Sequence, residues 1–479
     1  MAMASASDLL NPPNIRSETV GNAVVRSSIV SLIARMSGLV TAFITFRFLD
    51  PDMYGMWRLA LASVAVAIGL LNSLSPLVVI EAIRSLSNQN QGRGLSLWRS
   101  FVRLTSFVAF GIVAVSALAA PFIASVFRIQ PPLLVILAFS LLVFWLLRSH
   151  ALSWLQIAYR FDRILRLQIV ESISYVVFLF FFLVVRNDGV LGLALANLAA
   201  AVTTSVFSIP IVLSGMRQCP PSTIKEDATI LLSLLRQNGK WVFANDVVKH
   251  TLEASRLWLL SFFLGPSAVG LYGLAESLFG YVVSLVNLEP AVSSTLPRFL
   301  HDKPRLTAAM AHSVRVGTIV SVGVFALSWV AILVLFPVLF PKYLPAIPLY
   351  GILSLSVLLG GLRVLVNTMI PALRRQKILF LFLLPRIVFL PFFLAIFLPV
   401  IGIWAIGLEV LIGTTYFVLI RFIWLRKNLH ITKSGLRSYA PTINDVREVI
   451  TFSLKKVSQA RSRTVAIMHL LRKNPPERP

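Results

Sequence analysis

Long apolar segments separated by short polar ones fill almost the whole of this 479-residue chain. Each segment has about the 20 residues that a helix needs to cross a hydrocarbon core roughly 30 Å thick. We count twelve, with fourteen as the alternative, and the pattern predicts an all-α integral membrane protein. The first six are Ala23–Phe46, Trp57–Ile80, Phe101–Phe127, Leu133–Tyr159, Leu167–Val185 and Val190–Leu213. The second six are Trp241–Leu264, Ala268–Leu296, Val314–Phe340, Ala346–Leu373, Ile378–Pro399 and Ile403–Leu425.

One thirteen-residue pattern occurs twice, as FLDPDMYGMWRLA over Phe48–Ala60 and as FLGPSAVGLYGLA over Phe263–Ala275. A weaker pair, Gly189–Leu195 and Gly402–Leu408, has almost the same separation along the chain. Nearly equal offsets predict two homologous halves of six helices each. Because each motif follows the first helix of a half, both lie on one face, and the halves are parallel repeats. Paired repeats are typical of transporters whose site lies between them.

These repeats predict the organisation of the chain as two six-helix lobes around a central cavity. The predicted parts are a cytoplasmic N-terminal segment (1–22), an N-lobe (23–213), a cytoplasmic linker (214–240), a C-lobe (241–425) and a basic cytoplasmic tail (426–479).

Composition and charge agree with membrane residence. The chain is 57% hydrophobic, 13% charged and has a mean hydropathy of +0.83. With a cytoplasmic N-terminus, the loops on the inner side hold 19 Lys and Arg residues and those on the outer side five. This asymmetry predicts a multi-pass protein of the cell (inner) membrane with both termini cytoplasmic. The net charge of +25 is therefore largely topological and needs no nucleic-acid partner. The polar stretch that precedes Ala23 does not resemble a cleavable signal peptide.

Several kinds of chemistry have no motif in this chain. There is no Gly-rich phosphate loop ending in Gly-Lys-Ser/Thr, no His-Glu-x-x-His and no Cys-x-x-Cys, and the single cysteine is Cys219. We therefore expect no cofactor and no metal. The short outer loops offer only Asp50, Asp52 and Asp188 as carboxylates, and the first two flank Pro51 as turn residues do. This disfavours an enzyme.

Ionisable residues inside the predicted helices are the candidate site, because such residues normally face a cavity or a partner. In the seventh segment, helical spacing places four of them on one stripe about 80° wide: Asp246, Lys249, Glu253 and Arg256. One interpretation is a self-satisfied ladder of ion pairs within the helix, and the other, which we favour, is a hydrophilic wall of the cavity. Arg35 in the first segment and Arg386, directly after Pro385, complete the set. Four further carboxylates lie within predicted helices, and the sequence does not choose an ion carrier among them: Glu171, Glu276, Glu289 and Glu409.

The tail from Arg426 to Pro479 holds 12 Lys and Arg residues against three acidic ones. Its apolar residues keep helical spacing, which predicts an amphipathic helix on anionic membrane lipids. A segment that docks a partner protein is the alternative.

Five landmarks resemble bacterial polysaccharide-biosynthesis membrane proteins, the O-antigen-type flippases: Arg47–Trp57, Leu264–Ala275, Phe340–Pro348, Ala372–Lys377 and Gly402–Trp404. The resemblance covers roughly residues 20 to 430. It implies membership of the multidrug/oligosaccharidyl-lipid/polysaccharide (MOP) superfamily, whose two six-helix lobes alternate between inward-open and outward-open forms. The chain departs from the family at Asp50, where Gly is common, and at Arg256, where an acidic residue is common.

The resemblance further implies a flippase that moves a polyprenyl-pyrophosphate-linked oligosaccharide to the outer leaflet for surface polysaccharide or exopolysaccharide assembly, with polymerase or assembly proteins as partners. Its anionic headgroup would bind the cavity cations Arg35, Lys249, Arg256 and Arg386, while Asp246 and Glu253 orient them or couple an ion. Two alternatives are an exporter of cationic drugs or other organic ions from the same superfamily and a membrane scaffold for glycan enzymes. The sequence leaves the glycan, the pathway, the driving ion and the oligomeric state open.

Overall fold

A computed structural model describes residues 36–87, 91–219, 229, 232–233, 235–286, 292, 296–299, 302–373, 375–429, 439–447 and 451. This part of the chain is helical and contains no β-strand. The N-terminal segment, Arg35, Glu289, most of the linker and most of the basic tail lie outside the described residues.

The helices follow one another with short connections. Those of the first half are α1 (Met36–Phe48), α2 (Pro51–Asn72), α3 (Ser75–Ser87), α4 (Gln91–Phe127), α5 (Leu133–Ile157), α6 (Phe161–Leu179, continued by a π-turn over Phe180–Val185) and α7 (Gly189–Gln218). Those of the second half are α8 (Lys240–Leu264), α9 (Pro266–Leu285), α10 (Lys303–Leu339), α11 (Ala346–Leu355), α12 (Gly360–Ala372), α13 (Gln376–Ile401) and α14 (Trp404–Asn428).

Ten helical stretches in the described ranges are long and apolar enough to cross a membrane. Two of them join neighbouring helices: Pro51–Ser85 combines α2 with α3, and Ala346–Ala372 combines α11 with α12. Each of the ten corresponds to one predicted segment. The other two predicted segments match α1, described only from Met36, and α8, which contains the cluster of charged residues. The prediction of an all-α integral membrane protein is confirmed.

The chain divides into two compact units. The first comprises Met1–Leu278, Ile332–Ile352 and Gln376–Val410. The second comprises Phe279–Ala331, Leu353–Arg375 and Leu411–Pro479.

In the first unit, α5 packs against α2, α4 and α7, and α8 packs against α2 and α13. A buried apolar cluster joins α3, α4 and α5, with the rings of Trp98 and Trp154 centred 4.7 Å apart. Such aromatic pairs contribute large buried area together with specific ring geometry. The contacts of α8 with α2 and α13 hold this helix, which carries the predicted charged stripe, between the two.

The two copies of the thirteen-residue motif meet in this unit. Pro51 begins α2 and Pro266 begins α9, the position at which a proline's fixed φ favours a helix start. A Cβ atom on Gly55 would overlap the carbonyl oxygen of Pro266, and one on Gly270 would overlap that of Pro51. Each glycine thus lies against the proline of the other copy. We call this arrangement the reciprocal glycine–proline contact.

The weaker motif pair is also alike in backbone conformation. Gly189 has φ = 58° and Gly402 has φ = 63°, and both precede or begin a long helix. Left-handed φ values are the conformations for which glycine is suited, so the two glycines serve the same local purpose.

In the second unit, α10 approaches α12 closely at Gly317 and Gly361, where a Cβ on the first would lie 2.7 Å from the Cα of the second. Small residues at such crossings allow membrane helices to pack backbone to backbone. The start of the tail is bound to the same unit. Arg315 on α10 donates to Asp445 at 3.1 Å, and the ring of Tyr439 packs edge-on against Phe422 on α14.

Candidate functional site

Two of the predicted cations converge on one carboxylate within the first unit. Arg256 on α8 donates from Nε and Nη2 to Oε2 of Glu409 on α14, both at 2.9 Å. Arg386 on α13 donates to Oε1 of the same Glu409, from Nε at 3.2 Å and from Nη2 at 3.0 Å. Glu409 has no solvent exposure, and the Arg256 side chain is only 7% exposed. Each arginine thus directs two N–H donors at one oxygen of the carboxylate, and charge-assisted hydrogen bonds of this kind are stronger than those between neutral groups.

The network continues from Arg256 toward the motif helices. Arg256 Nη1 donates to the hydroxyl of Tyr272 at 3.3 Å, and that hydroxyl donates to Glu276 at 2.8 Å. Glu276 also forms an ion pair with Arg58, which lies in the first motif copy on α2. One continuous chain of polar contacts therefore connects α2, α9, α8, α14 and α13.

The chain of contacts contains three arginines, Arg58, Arg256 and Arg386, and two glutamates, Glu276 and Glu409. Among these five residues, one positive charge is therefore in excess. Removing a charge from water is expensive unless it is paired and hydrogen-bonded, and here the contacts supply that pairing. The paired side chains therefore leave a net charge of +1 in a mostly buried network.

The ladder of ion pairs along α8 is not formed as the spacing allowed. Arg256 pairs across helices with Glu409 rather than with Glu253, because the Arg256 side of α8 is buried against other helices. The carboxylate of Glu253 lies 3.7 Å from His250 Nδ1 instead. Asp246 accepts a long contact from its neighbour Asn245, at 3.5 Å.

Lys249 and Glu253 are exposed, and their spacing of four residues places them on one face of α8. Within the described part of the chain, Lys249 has no ion-pair partner. A lysine in a predicted membrane segment needs water or an anion. The interpretation of this face as a hydrophilic wall stays a prediction.

Three parts of this site were not chosen from the sequence. Glu409 and Glu276 were two of four equivalent carboxylates, and Tyr272 gave no signal apart from its place in the second motif copy. Arg58 and, outside this network, Arg148 were not candidates either, although they lie in α2 and α5 and pair with Glu276 and Glu171. Both ion pairs could have been found from their glutamates, because an acidic residue within a membrane helix needs a cation at the same depth.

No metal site is evident in the described ranges, which contain no cluster of three or more His, Cys, Asp or Glu residues suited to hold an ion. The arginines and glutamates of the network are instead paired with one another.

Comparison with protein families supplies the relationship. The family model described as polysaccharide biosynthesis protein matches residues 22–303. The chain belongs to this family. The match includes both motif copies together with Arg256, Tyr272 and Glu276. Comparison with curated protein sequences gives no match.

Solved structures of several MOP-superfamily transporters have the same fold. An inward-facing multidrug resistance MATE family transporter matches with a TM-score of 0.65 at 17% identity, over 86% of this chain and 100% of that one. The lipid II flippase MurJ, in an inward closed conformation, matches with a TM-score of 0.67 at 13% identity, over 89% of this chain and 92% of that one. A MOP-superfamily transporter from Pyrococcus furiosus, described by the reverse polarity of its binding pocket, matches with a TM-score of 0.54 at 15% identity, over 91% and 100%.

These matches establish the MOP transporter fold for this chain.

Proposed function

We propose that this protein is a flippase that moves a lipid-linked oligosaccharide, carried on polyprenyl pyrophosphate, from the cytoplasmic to the outer leaflet. Membership of the polysaccharide biosynthesis family and the transporter fold support this function. The observation that carries it is the pair of arginines sharing Glu409, because it leaves a positive charge in a mostly buried site. A pyrophosphate is the anion that such a site would attract.

Recognition of the headgroup would use two kinds of cation. Arg256 and Arg386 are held in fixed orientation by Glu409, and planar guanidinium groups match phosphate oxygens in a bidentate manner. Lys249 is exposed on α8 and would meet the headgroup as a mobile point charge. Arg35 remains a candidate on sequence grounds, and Asp246 and Glu253 remain candidates for orienting the cations or coupling an ion.

The substrate would move as the two halves, the lobes 23–213 and 241–425, change their relative position. The protein would lie in the inner membrane with both termini cytoplasmic. The reciprocal glycine–proline contact and the matching glycine conformations at Gly189 and Gly402 support the repeat. In the proposed orientation this contact lies at the outer ends of α2 and α9. It would close the outer side while the headgroup enters from the cytoplasm, and it would separate during alternating access.

The drug-exporter alternative fits this site less well. A cationic compound calls for an acidic cavity, whereas the described network has an excess of one positive charge. The scaffold alternative depends on the basic tail, and truncation after Lys427 separates it from transport. A scaffold loses its function on truncation, while a flippase retains much of it.

The decisive experiment is depletion of the protein in cells, followed by measurement of the lipid-linked oligosaccharide pool. The leaflet is assigned by accessibility to an external glycan-binding probe. We expect completed units to accumulate on the cytoplasmic face, and re-expression to restore their exposure outside. An unchanged pool with unchanged exposure would contradict the proposal and favour drug export, which compound sensitivity then tests.

A further inference from the structure

The first unit contains a cavity of about 640 Å³ that the charged network does not use. It lies among α1, α2, α5, α6 and α7, all of them helices of the first half. Volumes of roughly 300–1,000 Å³ are those of small-molecule binding sites. Its polar lining comes from six side chains in particular: Asn72, Arg148, Ser149, Glu171, Tyr175 and Asn197.

The two charges in this cavity cancel each other. Arg148 Nη2 lies 2.5 Å from Glu171 Oε2, and the two side chains are 29% and 30% exposed. Because the pair has no net charge, the cavity has no excess attraction for an anion or for a cation. The site is therefore unsuited to an ion and suited to an uncharged ligand that both accepts and donates hydrogen bonds.

The remaining polar groups are ordered by contacts with one another. Ser149 donates to the amide oxygen of Asn72 at 2.7 Å, and Asn197 donates to the Tyr175 hydroxyl at 3.2 Å. Trp145 adds an aromatic surface to the same wall. Amides, hydroxyls, a paired Arg and Glu, and aromatic rings are the groups that hold a sugar ring through its hydroxyls and its apolar C–H face.

A second, smaller cavity of about 240 Å³ in the second unit provides an internal comparison. It is lined by Arg363, which follows Arg148 by the same offset that separates Phe48 from Phe263 in the two motif copies. The rest of its lining is largely glycine and valine, including Gly360 and Val364. Among the residues that the structure describes, amides and aromatic side chains line only the cavity of the first half, which argues against a packing defect common to both cavities.

We infer that the cavity around Arg148 and Glu171 is a saccharide site, which binds uncharged sugar units of the transported glycan. This inference rests on the proposed function and deepens it. The cations on α8 and α13 would hold the pyrophosphate, and this cavity would hold sugars attached to it. Selection among glycans would then depend on residues of the first half, separately from recognition of the headgroup.

The test is binding by the full-length protein in detergent, with thermal stability and intrinsic fluorescence, to which Trp145 contributes as one of nine tryptophans, as readouts. The first probe is glycan released by mild acid from the lipid-linked pool of depleted cells, and the second is polyprenyl pyrophosphate without sugar. Two variants remove polar groups from the cavity: Tyr175→Phe, which removes one hydroxyl, and the charge-neutral double variant Arg148→Met with Glu171→Met. Gly280→Ala is the matched control, because it lines the smaller cavity and its added methyl meets no atom within 4 Å.

We expect the double variant to weaken glycan binding by at least about tenfold, which corresponds to a loss of roughly 1.4 kcal/mol of binding free energy. Binding of polyprenyl pyrophosphate should be unchanged. Tyr175→Phe should weaken glycan binding less and keep the thermal stability, so that a folding defect in the double variant leaves the test intact. Glycan binding that is equal in wild type and both variants would overturn the saccharide site and leave flipping untouched. Failure of the proposed function would look different, as polyprenyl pyrophosphate would not bind and depletion would leave the lipid-linked pool unchanged.

Discussion

Arg256 and Arg386 bind the two oxygens of a single carboxylate, that of Glu409, from two different helices. Neither arginine can be removed without changing the charge felt by the other. The pair is therefore a unit, and its properties should be tested as a unit.

Replacement of Glu409 by Gln should destabilise the protein strongly, because two mostly buried guanidinium groups would lose their shared counter-charge. Removing one partner of a buried pair typically costs about 3–5 kcal/mol. Thermal unfolding in detergent measures the loss. Arg386→Met should restore part of the stability in the Glu409→Gln background, and equal melting temperatures of wild type and Glu409→Gln would contradict the pairing.

Lys249→Ala should have the opposite profile, with little change in stability and a large loss of flipping. Its side chain is exposed and unpaired within the described ranges, so its removal breaks no contact. We expect flipping to fall by about tenfold, the effect of one charge-assisted contact of roughly 1.5 kcal/mol, and Lys249→Arg to retain most of it. Exposure of the lipid-linked glycan at the cell surface is the readout. Unimpaired flipping by Lys249→Ala would remove this lysine from the site.

Cys219 should be nearly inert to thiol reagents in the folded protein. Its side chain is buried and donates to the carbonyl of Gly215 at 3.2 Å, and burial raises the pKa of the thiol to about 12. The thiolate population at pH 8 is then roughly 10³-fold below that of an ordinary thiol. Maleimide labelling should be slow before and fast after denaturation in SDS.

Because Cys219 should react slowly, the face of α8 that carries Lys249 can be tested for access to water by labelling in the natural background. Lys249→Cys should react readily with maleimide in the wild-type background, because its position requires water. Leu118→Cys is the matched control, since Leu118 is 85% exposed within the apolar helix α4 and is expected to face lipid. Comparable slow labelling at both positions would contradict an aqueous face on α8.

Opening of the outer side should be favoured by Gly55→Ala and, equally, by Gly270→Ala. Each methyl would overlap a proline carbonyl oxygen of the other motif copy, and backbone cannot move aside as a flexible side chain can. Labelling from outside by a membrane-impermeant maleimide at Lys249→Cys measures the effect. Gly111→Ala, whose methyl meets no atom within 4 Å, is the control. Unchanged labelling in both motif variants would show that the contact does not close the outer side.

Docking of the start of the tail onto the second unit should weaken in strong acid. Thr442 and Asp445 form a reciprocal capping pair, with Thr442 N donating to Asp445 at 2.8 Å and Asp445 N donating to the Thr442 hydroxyl at 3.3 Å. The bonds from Thr442, followed by the nearby Arg315, hold the pKa of the Asp445 carboxyl below its ordinary value of 3.8.

A lowered pKa in the folded state means that the stabilisation is complete above the ordinary value and is lost as the pH falls through the lowered one. Tail docking should therefore be constant from pH 8 to 5 and should weaken only in stronger acid. At neutral pH, Asp445→Asn should mimic that acid state and speed proteolytic release of the tail, while Arg447→Gln should not. Equal release rates for the two variants would contradict the anchoring role of Asp445.

The sequence predicted those parts of the fold that depend on local patterns. Apolar length indicated the spanning helices but not their starts, since α2 begins at Pro51 and α9 at Pro266, ahead of the predicted starts at Trp57 and Ala268. The pairings that connect helices distant in the chain could not be obtained in this way. Arg256 and Glu409 are 153 residues apart, and helical spacing within α8 pointed to nearer partners. A local stripe shows which groups share a face of one helix, but which neighbour covers that face depends on packing.

The cavity around Arg148 and Glu171 was missed for a related reason. Its residues come from five helices and have no common spacing, and Arg148 lies near the end of its helix at Ile157, where a single arginine gives no signal of a site. A pair of opposite charges within two successive helices was the available signal.

The reciprocal glycine–proline contact also constrains how the two halves diverge over time. A larger residue at Gly55 is tolerated only if the Pro266 segment retreats, and the Pro266 segment belongs to the copy that contributes Gly270 to the other contact. Neither copy can therefore drift without a matching change in its counterpart. Under the proposed repeat of the two halves, this mutual dependence gives a physical reason why the thirteen-residue pattern is kept in both copies.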